Sequence, residues 1–426
     1  MKVTQIIENI SSGNCDKSFA LLYSENAVEK QRARWIKLAN SFLELYGDME
    51  AYMLSVPGRT ELLGNHTDHN NGKVLAAAVN IDIIAIAAKA DDNYIRIKSE
   101  GYREDVVSIE NIDPEKCKKG SSSSVISGVC DYFLSKGGNI GGIRACTTSD
   151  VLTGSGISSS AAFEVMCGNM LNVMYNQNRF SPLFLAMAGK YAENVYFGKP
   201  CGLMDQTACA SGGCSFIDFG GEEAVLTKIT PDLGETILCI VNTGGNHADL
   251  TDDYASVPAE MLACAALMGK KNLRQVDENE FVSRIAYIRP NVGDRAIMRA
   301  LHYFEENRRV EKAVECLGKG DTNGYFECVT KSGNSSFKFL QNVYTNKNVS
   351  EQGLSLALAL TERMGFVCRV HGGGFAGTIQ TYLPESKKEE YREKMERVFG
   401  EGSCMFLNIR PFGAAIINGN EITEAN

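Results

Sequence analysis

Apolar residues recur at helical spacing early in the chain and at strand spacing soon afterwards. Residues 29–46, EKQRARWIKLANSFLELY, place Trp35 and Phe42 on one face of a helix, and Gly47 supplies a stop signal. The pattern therefore predicts a helix over 29–46, on the N-terminal side of the first strand.

Several strands are predicted in the next hundred residues. The stretch 51–58, AYMLSVPG, has the composition of a strand, and 73–90, KVLAAAVNIDIIAIAAKA, is apolar enough to predict buried strands. The stretch 93–100, NYIRIKSE, alternates and predicts an antiparallel strand with one solvated face. A further strand is predicted over 143–152.

Helices are predicted after serine-rich and glycine-rich turns in 118–138, from about residue 158, and over 182–197. Near residue 221 we expect a change of domain, because a new strand follows in TILCIVNTG and helices then cluster between 255 and 365. Helices and strands mix without a regular βα repeat. This predicts an α+β fold of two domains, 1–220 and 221–426.

Composition narrows the function classes. The net charge of −9 over 426 residues argues against a nucleic-acid partner or an anionic membrane surface. The N-terminus lacks the apolar core of a signal peptide, and no apolar run is long enough to span a membrane. Fourteen cysteines without a C-x-x-C pair are expected to be reduced thiols in a cytoplasmic protein, and five histidines without a metal motif argue against a zinc site.

The first polar motif is GRTELLGNHTDHNNG, which begins at Gly58. It crowds an arginine, asparagines, two histidines and an aspartate between glycines, and such groups are costly to bury without partners. The motif is therefore either a solvated turn or the wall of a site for a polar ligand.

The second motif is TGSGISSSAAFEV, in which glycines precede a helix that begins near Ser158. Loop amides and a helix N-terminus form an anion site, most often for phosphate, and the serines can cap the helix. An ordinary serine-capped helix after a turn is the alternative. The motif lacks the lysine of a P-loop, and Ser159 stands where a G-x-G-x-x-G motif needs its third glycine.

A later segment carries two carboxylates, Glu193 and Asp205, on either side of the turn GKPCG. Asp205 lies at a predicted helix start, where an acid ordinarily complements the helix dipole. Glu193 lies within a predicted helix, where a glutamate is ordinarily solvated.

The third glycine motif, HGGGFAG at 371–377, formally satisfies G-x-G-x-x-G. It lies between two predicted strands with no helix after it, which excludes a dinucleotide-binding turn. It is either a tight turn or a backbone that approaches a ligand closely.

Together these motifs resemble the GHMP family of small-molecule kinases, in order and in spacing, over residues 54–382. The first motif is most similar to the galactokinase signature G-R-x-N-x-I-G-E-H-T-D-Y-x-x-G, and CGLMDQ at 201–206 resembles C-G-x-M-D-Q of the same branch. The resemblance implies an ATP-dependent sugar 1-kinase that uses Mg²⁺, with galactose and ATP as its small-molecule partners. It also implies the two-domain GHMP-kinase architecture, with the active site in the cleft between the domains.

Two departures leave the sugar open. Asn65 stands where the signature has a glutamate that faces the 6-hydroxyl of the sugar, and His69 stands where it has a tyrosine. Galacturonate, L-arabinose and N-acetylgalactosamine are therefore alternative substrates. A non-catalytic sugar and ATP sensor is a further alternative, although the motif residues that a sensor would be expected to lose are present.

The resemblance also implies a role for each matching position. Asp205 is expected to orient the sugar's anomeric hydroxyl, as a base or as a positioner, and Arg59 is expected to keep Asp205 ionised. Asp205 and Arg59 are therefore the two expected catalytic residues. Sugar binding is expected from Arg59, Asn65, His66, Asp68, Asp205 and Tyr254. The ATP phosphates are expected at Gly154, Ser155, Gly156, Ile157, Ser158, Ser159 and Ser160, and Mg²⁺ at Ser159, Ser160 and Glu193. The third motif loop, Gly372, Gly373, Gly374 and Gly377, is expected to close around the site.

Overall fold

A computed structural model of the protein describes residues 1–151, 156–199, 201–245 and 250–425, so the predicted phosphate-loop residues Gly154 and Ser155 lie outside the described part. The helices of that part are α1 (Val3–Ser11), α2 (Asp16–Tyr23), α3 (Val28–Tyr46), α4 (Ser122–Ser135), α5 (Ser159–Tyr175), α6 (Pro182–Tyr191), α7 (Met204–Ser211), α8 (Thr251–Leu267), α9 (Glu278–Ser283), α10 (Ile285–Gly318), α11 (Thr322–Ser335), α12 (Gly353–Arg363) and α13 (Lys388–Phe399). Its strands are β1 (Ala51–Leu63), β2 (Lys73–Ala90), β3 (Tyr94–Ser99), β4 (Asp105–Ser108), β5 (Gly142–Ser149), β6 (Cys214–Asp218), β7 (Val225–Ile229), β8 (Thr236–Asn242), β9 (Val367–His371), β10 (Thr378–Pro384), β11 (Cys404–Leu407), β12 (Ala415–Asn418) and β13 (Glu421–Glu424).

The hydrophobic pattern predicted most of these elements. The helix over 29–46 is α3, the strand over 51–58 is the first part of β1, and the mixture of helices and strands confirms the α+β class. Two predictions needed correction. The apolar stretch 73–90 is one long strand instead of several, and the helix predicted over 182–197 changes at Ala192–Phe197 into a π-helical turn.

The larger sheet of the described residues has nine strands, and both of its faces are covered. Its main order is β13-β12-β1-β2-β5-β3-β4, with β6 beside β2 and β7 beside β6. Alternate residues face the two cores: Leu54 and Ala85 lie in the core that includes α5, whereas Met53 and Ile84 lie in the core that includes α3. Burial on both faces explains why β2 is almost continuously apolar.

A buried ion cluster fastens the N-terminal helices to this sheet. Asp82 on β2 is fully buried and accepts hydrogen bonds from Arg34 Nη1 at 2.7 Å, Arg410 Nη1 at 3.0 Å and the Tyr23 hydroxyl at 2.5 Å, and from the Ser55 hydroxyl. Burial opposes ionisation of Asp82, but the two arginines outweigh it and hold its pKa below the usual range. The cluster therefore stabilises the fold at neutral pH and loses this contribution as the pH falls through the folded-state pKa.

Replacing Tyr23 with Phe is expected to lower the free energy of unfolding by about 2 kcal/mol, because one hydrogen bond to a buried charge is lost. Urea denaturation at pH 7 measures this, and Tyr52→Phe, at a residue that is 37% exposed, is the matched control. A Tyr23→Phe protein as stable as the control would contradict a role for the cluster in holding α2.

The smaller sheet has the order β11-β8-β10-β9 and is antiparallel throughout. Its β9 and β10 are joined by the third glycine motif, and no helix follows that motif, as predicted. The division at residue 221 stays a prediction. The strands β7, β12 and β13 lie after residue 221, but they belong to the larger sheet, most of whose strands lie before it.

The fourteen cysteines are free thiols, as predicted. No helix among the described residues is sufficiently long and apolar to span a bilayer.

Candidate active site

An arginine–aspartate pair lies where the first motif meets α7. Arg59 Nε donates to Asp205 Oδ1 at 2.8 Å, and its Nη2 donates to Asp205 Oδ2 at 2.6 Å. Arg59 follows an irregularity in the pairing of β1 with β2, which starts at Pro57. The Arg59 side chain is 7% exposed and that of Asp205 is 31% exposed, so the carboxylate is held firmly but stays accessible.

The phosphate-loop segment lies against the same arginine. Arg59 Nη1 donates to the carbonyl of Gly156, and the backbone N–H of Arg59 donates to the carbonyl of Ile157 at 3.1 Å. Gly156 has a φ of 74°, and a Cβ on it would lie 2.5 Å from Thr378 Oγ1. Only glycine fits this position, because it adopts positive φ readily and has no side chain to clash.

The first serine of this segment, Ser158, does not cap the helix as predicted. Ser158 precedes α5 with a φ of 60°, and its side chain makes no capping hydrogen bond. Its hydroxyl donates to Asp205 Oδ2 instead. Ser159 is half-buried and Ser160 is exposed in the first turn of α5, so both lie at the positive end of that helix.

Asp205 is ionised at neutral pH. Burial raises its pKa, but the charge and hydrogen bonds of Arg59 and the Ser158 hydroxyl outweigh burial and hold the pKa below the usual range. An ionised carboxylate is a strong hydrogen-bond acceptor, and its low pKa makes it a weak base.

Glu193 is not solvated, contrary to the ordinary interpretation of a glutamate in a helix. It is 4% exposed in the π-helical turn and lies beside Glu164 of α5, which is 1% exposed. The Gln206 side chain joins them, because its Nε2 lies 2.9 Å from Glu164 Oε2 and 3.2 Å from Glu193 Oε2. Burial, and then the charge of Glu193, raise the pKa of Glu164 well above its usual value.

This cluster fits a hard divalent cation such as Mg²⁺. Its donors are carboxylate oxygens, and Gln206 Oε1 is a buried acceptor without a hydrogen-bond partner. Mg²⁺ prefers oxygen ligands of this kind. The predicted hydroxyl ligands, Ser159 and Ser160, begin the helix that also carries Glu164.

The carboxylate of Asp68 lies against the CGLMDQ motif. A Cβ built on Gly202 would lie 1.6 Å from Asp68 Oδ2, so no other residue fits at position 202 without displacing this carboxylate. The Asp68 side chain is 11% exposed, and its Oδ1 accepts a hydrogen bond from the His69 backbone N–H at 3.0 Å. The close approach explains why two motifs far apart in sequence share one site.

Asn65 is fully buried, and its whole amide is bonded to protein. Its Nδ2 donates to the Gly372 carbonyl at 2.7 Å and to Glu61 Oε1 and Oε2 at 3.1 and 3.3 Å. Its Oδ1 accepts from Asn342 Nδ2 at 2.7 Å and from Ser336 Oγ at 3.4 Å. The predicted contact of Asn65 with a sugar stays a prediction, and in this structure the side chain supports the third motif loop.

Glu61 forms a second buried ion pair near the site, with Arg369. It is 2% exposed and pairs with Arg369 on β9, which also donates to the Leu62 carbonyl at 2.8 Å. Burial raises the pKa of Glu61 despite this arginine. In the quoted signature the positions of Glu61 and Asn65 are occupied by Asn and Glu, so the amide and the carboxylate have exchanged places in this chain.

The third motif loop is held by two more predicted sugar-binding residues. His66 Nε2 donates to the Gly373 carbonyl at 2.9 Å, and the Tyr254 hydroxyl lies 2.9 Å from the Gly374 carbonyl oxygen, to which it donates. Burial and the neighbouring His69 lower the pKa of His66 to about 4, so its imidazole is neutral at pH 7. Asn65, His66 and Tyr254 thus contact three consecutive carbonyls of the loop.

The other end of the loop is bonded to Thr243, the residue directly after β8. The Gly377 carbonyl accepts hydrogen bonds from the backbone N–H and the hydroxyl of Thr243, each at 2.8 Å. The loop is therefore anchored beside the first motif. Its closing around a bound ligand stays a prediction.

Sequence reasoning missed Glu164, Gln206, Glu61 and Lys199. A signal existed for Glu164, because it lies four residues after Ser160 and hence on the same helical face. Gln206 stood next to Asp205 inside a quoted motif, but nothing in the spacing indicated that its side chain joins two carboxylates.

Comparisons with known proteins identify the fold and the family. The galactokinase galactose-binding signature matches residues 40–89, and the GHMP kinase N-terminal domain matches residues 123–213. Among solved structures, Lactococcus lactis galactokinase complexed with galactose has a TM-score of 0.77 at 23% identity, over 88% of this chain and 97% of that one. Methanococcus jannaschii mevalonate kinase has a TM-score of 0.60 at 15% identity, over 84% and 98%. The fold is that of the GHMP kinases.

The sequence relatives define the branch. The galactokinase of Actinobacillus pleuropneumoniae serotype 5b is 30% identical over 358 residues, which cover 82% of this chain and 90% of that relative. The galactokinase of Clostridium tetani is 28% identical over 371 residues, which cover 86% and 92%. The chain belongs to the galactokinase family, which confirms the resemblance that the motifs carried.

Proposed function

We propose that this protein is an ATP-dependent galactose 1-kinase, which converts galactose and ATP into galactose 1-phosphate and ADP. The observation that carries the proposal is the Asp205 carboxylate, which Arg59 and Ser158 hold beside the segment 156–160. Family membership and the galactose-binding signature support galactose as the acceptor.

In this proposal the phosphates of ATP lie over the segment 156–160, at the positive end of α5. Glu193, with a serine hydroxyl of that segment, would hold Mg²⁺, which neutralises charge on the phosphate oxygens when bound. Arg59 is fixed between this segment and Asp205, so its charge lies where negative charge develops during transfer.

Asp205 orients the anomeric hydroxyl of the sugar for attack on the γ-phosphorus. A new bond forms between O1 of the sugar and the γ-phosphorus, and the bond from that phosphorus to the β,γ-bridging oxygen breaks. The electron pair of the broken bond stays on the bridging oxygen, which leaves as part of ADP. The hydroxyl proton passes to Asp205 and then to solvent. Because the pKa of Asp205 is low, its main contribution is orientation, with proton acceptance late in the step.

A coupled assay of ADP release across galactose, galacturonate, N-acetylgalactosamine, glucose and L-arabinose tests the proposal. Galactose is expected to give the highest kcat/KM. Binding of galactose and ATP without ADP release would show a sensor, and a preference for another sugar would reject the substrate assignment.

Replacing Gly202 with Ala is expected to raise the KM for galactose about tenfold, because the new methyl group displaces the Asp68 carboxylate. The KM for ATP is expected to change less than threefold, on the order of the scatter for sites away from the change. Gly318→Ala, at a glycine with no atom within 4 Å of the added Cβ, is the matched control. Equal effects on both KM values, or no effect on either, would show that Gly202 does not hold the sugar side of the site.

A further inference from the structure

Lys199 forms an ion pair with a residue of the candidate metal site. Its Nζ lies 3.2 Å from Glu193 Oε1. The Lys199 side chain is 63% exposed, whereas that of Glu193 is 6% exposed. An exposed, flexible cation is therefore paired with a buried, fixed carboxylate.

The surroundings of Lys199 are acidic. Its positive charge lies close enough to interact with Glu193, Glu164 and Asp205. It contributes to the lowered pKa of Asp205, and it partly offsets the rise in the pKa of Glu164 that burial causes. Lys199 lies two residues after the end of the π-helical turn and five residues before the start of α7, so it stands between Glu193 and Asp205 in the chain. These are the groups proposed to hold the cation and to orient the sugar.

The phosphate segment itself supplies no lysine, since TGSGISSSAAFEV contains no basic residue. The transferring phosphoryl group nevertheless needs positive charge around it. A lysine carries a compact charge on a flexible four-carbon stem, so it can leave one anion and reach another nearby.

We propose that Lys199 binds the nucleotide's phosphates, and that it occupies the anionic face of Glu193 until a divalent cation takes that place. The inference rests on the proposed kinase function, because the cation and the nucleotide share this site. When the cation reaches Glu193 the ammonium is released, and a phosphate oxygen becomes its new partner.

The alternative is an ordinary surface ion pair, which contributes little to stability or function. The burial of Glu193 argues against it, because a buried carboxylate in a candidate cation site needs a positive partner whenever the cation is absent. The two interpretations make different predictions for ligand binding, because an ordinary surface ion pair predicts little change in the affinity for either ligand.

The test compares Lys199→Met and Lys199→Arg with the wild-type protein, and uses Lys190→Met on α6 as the matched control. Electron paramagnetic resonance measures the affinity for Mn²⁺ alone, without nucleotide. Calorimetry measures the affinity for the Mg²⁺ complex of adenylyl imidodiphosphate, without sugar. Neither measurement needs turnover.

Lys199→Met is expected to bind Mn²⁺ alone about threefold more tightly, because the competing ammonium is gone. It is expected to bind the Mg²⁺–nucleotide complex about tenfold more weakly, because a charge-assisted hydrogen bond to phosphate is lost. Lys199→Arg is expected to keep most of the nucleotide affinity, and Lys190→Met is expected to match the wild type in both measurements.

Effects of opposite sign on the two ligands would support the proposal. Weaker binding of both ligands would show a structural role and overturn it, and so would unchanged nucleotide affinity. Failure of the proposed kinase function can be told apart from failure of this inference. A protein that releases no ADP with any sugar would still show affinity changes of opposite sign if Lys199 exchanges between Glu193 and phosphate.

Discussion

Replacement of Asp205 with Asn is expected to lower kcat about 100-fold or more, the scale of lost acid–base and orienting interactions. The amide keeps the shape of the side chain, but it has no charge and only one oxygen for Arg59, which donates to both carboxylate oxygens in the wild type. The sugar hydroxyl then loses both its strongest acceptor and the group that takes its proton. Steady-state kinetics with saturating galactose and ATP measures the change.

The control for this variant addresses folding. Arg59 is nearly buried, and a buried charge without its partner costs stability. Urea denaturation and the binding of the Mg²⁺–adenylyl imidodiphosphate complex are therefore measured beside the kinetics, with Asp91→Asn at an exposed acid as the matched variant. A folded Asp205→Asn protein that keeps more than about a tenth of the wild-type kcat would contradict the assigned role.

The pH dependence follows from the same pair. Because the folded-state pKa of Asp205 is lowered, the carboxylate stays ionised as the pH falls from 8 to 5 and is protonated only below its usual pKa. The wild-type kcat/KM is therefore expected to show no acidic limb from Asp205 in this range.

Replacement of Asn65 with Glu is expected to lower the free energy of unfolding by about 4 kcal/mol, the scale of two like charges a few ångströms apart at an effective dielectric constant of about 20. The new carboxylate would face Glu61, whose oxygens lie 3.1 and 3.3 Å from the present amide, and the carbonyl of Gly372. Urea denaturation measures the loss, and Asn40→Glu on the exposed face of α3 is the control.

The exchanged pair offers a rescue. Glu61→Asn combined with Asn65→Glu restores one amide and one carboxylate, in the order of the quoted signature, and is expected to recover at least about half of the lost stability. An Asn65→Glu protein as stable as the wild type, or a double variant no better than the single one, would contradict this coupling. The double variant is also the form in which the effect of position 65 on substrate preference can be tested. In the single variant, loss of stability would obscure any change in the preferred sugar.

The sequence predicted the local parts of this site well. Motifs are contiguous strings, so Arg59, Asp68 and Asp205 could be singled out from the sequence, and their roles stay predictions. The helix after the phosphate segment was placed within one residue. The absence of a helix after HGGGFAG also followed from the pattern alone.

Contacts between distant segments were not predictable in the same way. Glu61 pairs with Arg369, which lies 308 residues further on, and only the packing of β9 against β1 brings them together. Without that partner Glu61 resembled an unremarkable strand residue, and Asn65 resembled a free sugar ligand. The burial of Glu193 depended likewise on Glu164 and Gln206, which approach it from two other helices.

The most direct test is a crystal structure of the protein with galactose and the Mg²⁺ complex of adenylyl imidodiphosphate. We expect the terminal phosphate over residues 156–160 and the anomeric oxygen within hydrogen-bonding distance of Asp205, pointing at the phosphorus. A sugar bound away from this carboxylate, or a nucleotide whose phosphates avoid the start of α5, would contradict the mechanism.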